Sequence, residues 1–258
     1  MLEINKIHQG DCLELMKDLP DKSVDLIITS PPYEDISGAG YNGAKKDILF
    51  FKLYSDFMDK VFTEMHRILK DTGQIFFNIK SKTHNSTLKT PHWVEFLDTF
   101  QNFKLKSYII WKYAGSFDSS KKRFHLDYEV IYHLSKTDDI YLNSNCGIKD
   151  PLTSVWYVPH NIKNRVHPTQ MPEALVERIL KITGKKEYLL LDIFSGSGTT
   201  CLVGKREGMD YIGFEINPEY CDIANKRLKE VQLPLDVNSK EDGIPPTNKL
   251  VGILPKIL

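Results

Sequence analysis

Residues 29 to 33, Thr-Ser-Pro-Pro-Tyr, bring hydrogen-bond acceptors, rigid backbone and an aromatic plate together in five positions. Pro31 and Pro32 have no N–H to donate, so the Ser30 hydroxyl and the Ser30 and Pro31 carbonyls stand as acceptors beside the Tyr33 ring. Such a cluster suits a flat heterocycle that carries an amino group. The same residues would also serve simply to end a strand with a packed tyrosine. They follow the run Val24-Asp25-Leu26-Ile27-Ile28, which reads as a buried strand. Open α/β sheets hold their ligands at the carboxyl ends of such strands.

A second constellation lies far along the chain. The apolar run from Tyr188 to Phe194 contains Asp192 and leads into Ser195-Gly196-Ser197-Gly198-Thr199-Thr200, then a helical stretch to about Arg206. Strand, glycine turn and helix start make a nucleotide-binding unit. Gly196 and Gly198 let backbone approach a ligand closely, and Thr199 and Thr200 are expected to cap the helix. The third glycine of the dinucleotide fingerprint is missing, because Cys201 follows the threonines. The next strand, Tyr211 to Phe214, ends in Glu215, nineteen residues beyond Gly196. That is close to the spacing at which an acid meets ribose hydroxyls, although a solvated carboxylate would fit too. Asn217-Pro218 then opens a helix with Tyr220, Ile223, Ala224 and Leu228 on one apolar face.

With both constellations in view, the chain resembles the amino-group DNA methyltransferases, which use S-adenosylmethionine to methylate exocyclic amines of bases. The resemblance rests on Ser30-Pro31-Pro32-Tyr33, on Asp192 to Thr200, and on His167-Pro168-Thr169-Gln170-Met171-Pro172 just upstream, and it covers roughly residues 3 to 232. The catalytic motif precedes the cofactor motif, as in the family's permuted beta group. The resemblance implies catalytic roles for Ser30, Pro31, Pro32 and Tyr33. It implies cofactor contacts from Asp11, Cys12, Thr29, His167, Thr169, Gln170, Asp192, Phe194, Ser195, Gly196, Ser197, Gly198, Thr199, Thr200, Glu215 and Asn217. Asp11 could equally be a helix N-cap, and Thr169 a cap of the following helix. Relatives usually carry Lys where this chain has Met171, which leaves open what replaces that charge. Members acting on adenine N6 mostly have Asp or Asn at the position of Ser30, and those acting on cytosine N4 mostly Ser, so the resemblance implies cytosine N4 with adenine N6 as the alternative. A nicotinamide oxidoreductase would explain the glycine turn and Glu215 but leaves residues 29 to 33 idle. A non-catalytic DNA binder would leave the cofactor turn unexplained.

Composition agrees with an enzyme of the cytoplasm. A chain of 258 residues, 41% hydrophobic, can bury one α/β core, and no run of about eighteen apolar residues or signal-peptide profile occurs. Cys12, Cys146, Cys201 and Cys221 show no CxxC pairing, so neither a disulfide framework nor a metal site is expected. Formal net charge is zero, 34 basic against 34 acidic residues, which argues against an indiscriminate nucleic-acid binder. Three local basic groups stand out: Lys80 and Lys82 with His84; Lys121, Lys122 and Arg123; Lys163 and Arg165 with His167. Each is read as a DNA-phosphate contact or as a solvated loop. The partners implied are double-stranded DNA, a second copy of the chain in a homodimer, and a separately encoded cognate restriction endonuclease, with no membrane.

These residues need elements to hold them. Periodicity predicts strands over 3–8, 24–29, 74–80, 105–113 and 128–134, the last two antiparallel, and helices over 12–19, 50–69, 91–100 and 173–183. The glycine-rich segment 34–48 reads as a mobile loop. Alternation without internal repeats predicts one α/β, doubly wound, mostly parallel sheet of Rossmann-like methyltransferase type with permuted motif order. Residues 1–135 would form its catalytic half, 136–166 an inserted target-recognition segment, and 167–233 the cofactor-binding half. The tail 234–258 is assigned no chemistry. Trp156 and Tyr157, in the irregular segment, suit packing or base stacking.

Overall fold

The two runs that carry the candidate motifs become neighbouring strands of one sheet. The computed structural model describes residues 2–32, 48–80, 83–84, 87–88, 98–113, 121–122, 124–160, 165–167 and 169–231. Its strands are β1 (Lys6–Gln9), β2 (Val24–Thr29), β3 (Leu69–Ile79), β4 (Thr83–His84), β5 (Thr87–Leu88), β6 (Lys104–Lys112), β7 (Tyr128–Ser135), β8 (Val155–Tyr157), β9 (Leu189–Asp192) and β10 (Asp210–Glu215). Its helices are α1 (Cys12–Met16), α2 (Ile48–Ile68), α3 (Glu173–Thr183), α4 (Thr199–Arg206) and α5 (Pro218–Glu230).

Eight strands form the main sheet in the order β1-β10-β9-β2-β3-β7-β6-β8, with β4 and β5 as a separate pair. Neighbours run parallel except for β7, which is antiparallel to both β3 and β6. From the centre the chain steps one way through β9, α4 and β10, and the other way through β2, α2 and β3. Between β9 and β2 the winding reverses, so the carboxyl ends of these two strands flank the crevice where doubly wound sheets bind ligands.

Burial on both faces explains why the central strands read as apolar runs rather than alternating ones. One core lies under α1 and α2, where Met58, Val61, Phe62, Met65 and Ile68 recur at helical spacing and are fully buried beside Ile27, Phe77 and Tyr132. The other lies under α3, α4 and α5, where Leu175, Val176, Ile179 and Leu180 meet Leu190, Val203 and Leu228.

Several expected boundaries move. The strand expected over 3–8 is β1, starting at Lys6, because Asn5 takes a left-handed φ of 63° and donates its side chain to Asp210. Helix α1 stops at Met16, where the amide of Lys17 turns back onto the Glu14 carbonyl. The helix expected to reach residue 69 passes straight into β3, which starts five residues before the expected 74. Of the helix expected over 91–100, the described part is the 3-10 turn Asp98–Asn102, and residues 91–97 lie outside the described residues. Most of the segment 34–48 and the tail 234–258 also lie outside them. Within 136–166 a short strand emerges: β8 pairs with β6, with Trp156 buried and Tyr157 62% exposed, so of the two aromatics Trp156 packs. No helix among the described residues is long and apolar enough to cross a membrane.

Candidate active site

A cavity of about 480 Å³ opens where β9 and β2 end, within the size range of small-molecule sites. Ser30, Pro31 and Pro32 form one wall, and Asp192 with Phe194 to Ser197, Thr199 and Thr200 form another. Asp11, Cys12, His167, Thr169, Gln170, Glu215 and Asn217 complete it, so most residues of the three sequence motifs meet in one place although Ser30 and Thr200 stand 170 positions apart. Two do not line it: Thr29 is wholly buried at the end of β2, and Gly198 lies behind the turn. Tyr33 lies outside the described residues.

The turn is shaped by its glycines. Gly196 has φ 50° and Gly198 φ 77°, the left-handed region where side chains are strained. A Cβ on Gly198 would also sit 2.8 Å from Ile7 and 2.9 Å from Ala224. Their amides are engaged within the protein, Gly196 N to Glu215 Oε2 at 2.8 Å and Gly198 N to the Ser195 carbonyl at 2.7 Å. The glycines therefore supply close approach. Gly198 is itself the N-cap of α4 with no side-chain cap bond, so Thr199 and Thr200 do not cap as expected but occupy the first turn. Their hydroxyls face other partners: Thr200 bonds Asp192, and Thr199 Oγ1 accepts from Arg227.

Asp192 is the buried acid of the site. Burial raises its pKa to about 6, against the opposing pull of the Thr200 and Thr29 hydroxyls and the Phe194 amide, while the Glu215 charge adds to the rise. At neutral pH it is an anion suited to attract a cation. Glu215 uses both oxygens at once, accepting from Gly196 N and, through Oε1, from Asn217 N at 2.8 Å. Asn217 caps α5, accepting from the amides of Glu219 and Tyr220. Asp11 caps α1, its Oδ1 accepting from Leu13 N at 2.8 Å, while lining the cavity as well. Beside it, burial and then the Asp11 charge push the Cys12 thiol up to about 12, which keeps it protonated and unreactive.

The upstream loop holds itself together. Gln170 is buried and accepts from Val166 N, its own amide donating to the His167 carbonyl. Thr169 N donates to His167 Nδ1, which puts the ring proton on Nε2. The ring packs edge-on to Tyr220 with centroids 4.4 Å apart, and burial lowers its pKa. Thr169 does not cap α3, whose N-cap is Pro172.

Some site residues escape sequence reading. Tyr54 donates to the Pro32 carbonyl at 2.6 Å, fixing the end of the proline pair. Arg227 reaches from α5 to the Ser197 carbonyl, to Ser197 Oγ and to Thr199 Oγ1, and to Glu173 at 3.4 Å. It places a cation against Ser197 and Thr199, both of which line the cavity. Gly213 lets the turn sit close to β10, since a Cβ there would be 2.5 Å from Ser195 Oγ; a glycine inside a strand pattern was its signal.

Of the basic groups, Lys80, Lys121, Lys122 and Arg165 are exposed. The charges of Lys80 and Arg165 both act on His160, to whose Nδ1 Arg165 also bonds. Lys82, Arg123 and Lys163 lie outside the described residues.

The sequence model of the DNA methylase family matches residues 24–226. The chain belongs to this family. It is 32% identical over 255 residues to the type II methyltransferase M.BglII of Bacillus subtilis, covering 87% of this chain and 69% of that one. It is 32% identical over 262 residues to the DNA adenine methyltransferase YhdJ of Escherichia coli K12, covering 88% and 83%. Among solved structures, the cytosine-N4-specific PvuII DNA methyltransferase superposes with a TM-score of 0.73 at 21% identity over 91% of this chain and 87% of that one. TTHA0409, a putative DNA modification methylase of Thermus thermophilus solved with S-adenosylmethionine, gives 0.68 at 21% identity over 86% and 92%. The protein is thus a DNA methyltransferase of the N4/N6 amino type with the Rossmann-like fold, and its cofactor is S-adenosylmethionine. The cavity fits that cofactor: a left-handed glycine turn for close approach, carboxylates at Asp11 and Glu215 for amine and hydroxyl donors, and the Asp192 anion for a cationic group.

Proposed function

We propose that this methyltransferase modifies the exocyclic N4 amine of cytosine in double-stranded DNA, on a base turned out of the duplex, within or derived from a restriction–modification system with a separately encoded endonuclease. The observation that carries the reading is the meeting of Ser30, Pro31 and Pro32 with Asp192 and the glycine turn around one cavity. A base amine is a weak nucleophile because its lone pair is delocalised into the ring, and in duplex DNA it is also stacked and paired. The Ser30 hydroxyl and the Pro31 carbonyl accept its hydrogens, draw the nitrogen toward tetrahedral geometry and localise the lone pair. Tyr54 holds the Pro32 carbonyl, so the amine is offered acceptors on its Ser30 and Pro31 side. Tyr33, next in sequence, stacks on the base. Bound S-adenosylmethionine supplies an electrophilic methyl group. Asp192, Glu215, Asp11, His167, Thr169 and Gln170 hold it, and the protein's contribution is placement and electrostatics.

Ser30 supports cytosine through the family resemblance. The adenine-specific relative favours the second reading, N6 of adenine by the same geometry. Residues 1–135 act as the catalytic half, 167–233 as the cofactor half and 136–166 as the target-recognition segment, where β8 displays the exposed Tyr157 beside the strand ends.

The test is incubation of the protein with mixed-sequence unmethylated DNA and isotopically labelled S-adenosylmethionine, then mass spectrometry of the nucleosides. Labelled N4-methylcytosine is expected; N6-methyladenine would keep the mechanism and overturn the base. Ser30→Ala should lower kcat about a hundredfold or more while cofactor Kd changes little. Near-wild-type turnover would remove Ser30 from its role.

A further inference from the structure

The seam between the two halves of the site is narrow. Strand β2, which ends in the catalytic residues, pairs with β9, which ends in the cofactor turn, at two register positions, Leu26 with Leu190 and Ile27 with Leu191. Side chains fasten both ends of this short ladder. At the amino end Asp25 Oδ2 accepts from Leu189 N at 2.9 Å. At the carboxyl end Thr29 Oγ1 donates to Asp192 Oδ1 at 2.8 Å, and the same oxygen accepts from Phe194 N at 3.1 Å. Thr29 is fully buried and Asp192 nearly so, so this contact cannot reach cofactor through Thr29 itself. One peptide bond separates Thr29 from Ser30, and one carboxylate oxygen separates Thr29 from the first residues of the turn.

We propose that Thr29 is a positioning residue whose hydroxyl, bound to Asp192 across the seam, fixes the catalytic Ser30 segment relative to the cofactor turn. This corrects the expectation of direct cofactor contact, and its catalytic consequence rests on the methyl-transfer reading above. The hydroxyl also donates to the charged form of Asp192, so the latch favours the anion that the cavity presents. A threonine that merely filled space would be replaceable by valine, which has nearly its shape but no donor.

The sign of the pH effect follows from what faces Asp192. Thr29 comes from β2, Thr200 and the buried Cys201 thiol from α4, the Phe194 amide from the turn and Glu215 from β10; Asp11, His167 and Glu219 lie around the same cavity. Burial lifts the folded pKa of Asp192 from 3.8 to about 6. Its stabilising contribution is therefore complete below pH 3.8 and lost as pH rises through about 6. Removing the Thr29 donor raises that folded pKa further, so the variant falls behind wild type chiefly above pH 6. The other groups are common to both proteins and cancel in the difference.

The experiment uses the full chain, with Thr29→Val and Thr29→Ser, S-adenosylmethionine as the probe, calorimetric binding from pH 5 to 8, and urea unfolding at pH 5 and pH 8. For Thr29→Val the expected result is cofactor Kd weakened about tenfold or more at pH 7, a binding–pH curve displaced upward in pH, and a stability loss larger at pH 8 than at pH 5. Thr29→Ser, which keeps the donor, should restore the curve. A penalty independent of pH, an undisplaced curve, or failure of serine to rescue it would each reduce Thr29 to packing and overturn the proposal. If valine prevents folding, the serine variant decides on the same two readouts, wild-type-like curves supporting the latch and a weakened or displaced binding curve overturning it. Absence of methylated nucleosides from wild type would instead defeat the methyl-transfer reading, with the binding and unfolding arms still deciding the latch.

Discussion

Glu215 holds two backbone amides with its two oxygens, Gly196 on the turn and Asn217 at the start of α5. It therefore shapes the glycine turn itself. A carboxylate can accept at both oxygens, whereas a carboxamide must point an N–H at one of the two amide donors. Glu215→Gln should accordingly cost about 1–3 kcal/mol of stability as well as about tenfold in cofactor affinity. Chemical denaturation and calorimetry on one preparation would separate the two effects. A variant with weakened cofactor binding and unchanged stability would show that the acid serves the ligand alone.

At the scale of elements, α5 acts on the site from behind. The Arg227 side chain is 18% exposed and spans from Glu173 on α3 to the Ser197 carbonyl and Thr199 hydroxyl at the start of α4. Burial lowers its pKa and the Glu173 charge offsets that, so its hydrogen bonds are made by a partly desolvated cation. Arg227→Met keeps the apolar stem and removes the fork. The expected outcome is a loss of about 2 kcal/mol in unfolding free energy, with weaker cofactor binding and unchanged KM for DNA. A variant altered in DNA KM alone would contradict the brace.

The sequence made β2, α3 and the antiparallel pairing of β6 with β7 legible, because apolar periodicity and proline or glycine ends coincide there. It misled at α4, where the threonines invite a capping assignment that the left-handed Gly198 supersedes. The partners of Thr29 and Arg227 were not legible. A hydroxyl that bonds a carboxylate 163 positions away, or a guanidinium that reaches a carbonyl 30 positions back, leaves no local pattern.

For the whole molecule, a formal charge of zero means that DNA affinity depends on how charge is arranged rather than on its sum. The carboxyl ends of the strands gather cations on one side: Lys80 directly follows β3, and Arg165 bonds His160 in the segment leading to the cofactor motif. The ring of His160 packs in turn on Trp111 and Tyr113 at the end of β6, which ties this rim to the sheet. Its pKa is lowered by burial first and then by the Arg165 and Lys80 charges, so at neutral pH it is an uncharged acceptor for Arg165 rather than a third cation. Each of the two true cations that touches a phosphate should release about one counterion. Lys80→Gln and Arg165→Gln are thus each expected to reduce the slope of log affinity against log salt by about 0.9. Cofactor Kd should stay at the wild-type value, because neither residue lines the cavity. Fluorescence anisotropy with duplex DNA from 50 to 300 mM salt, roughly the range over which such slopes are resolved, would measure this. An unchanged slope for both variants would move the phosphate contacts to another face of the protein.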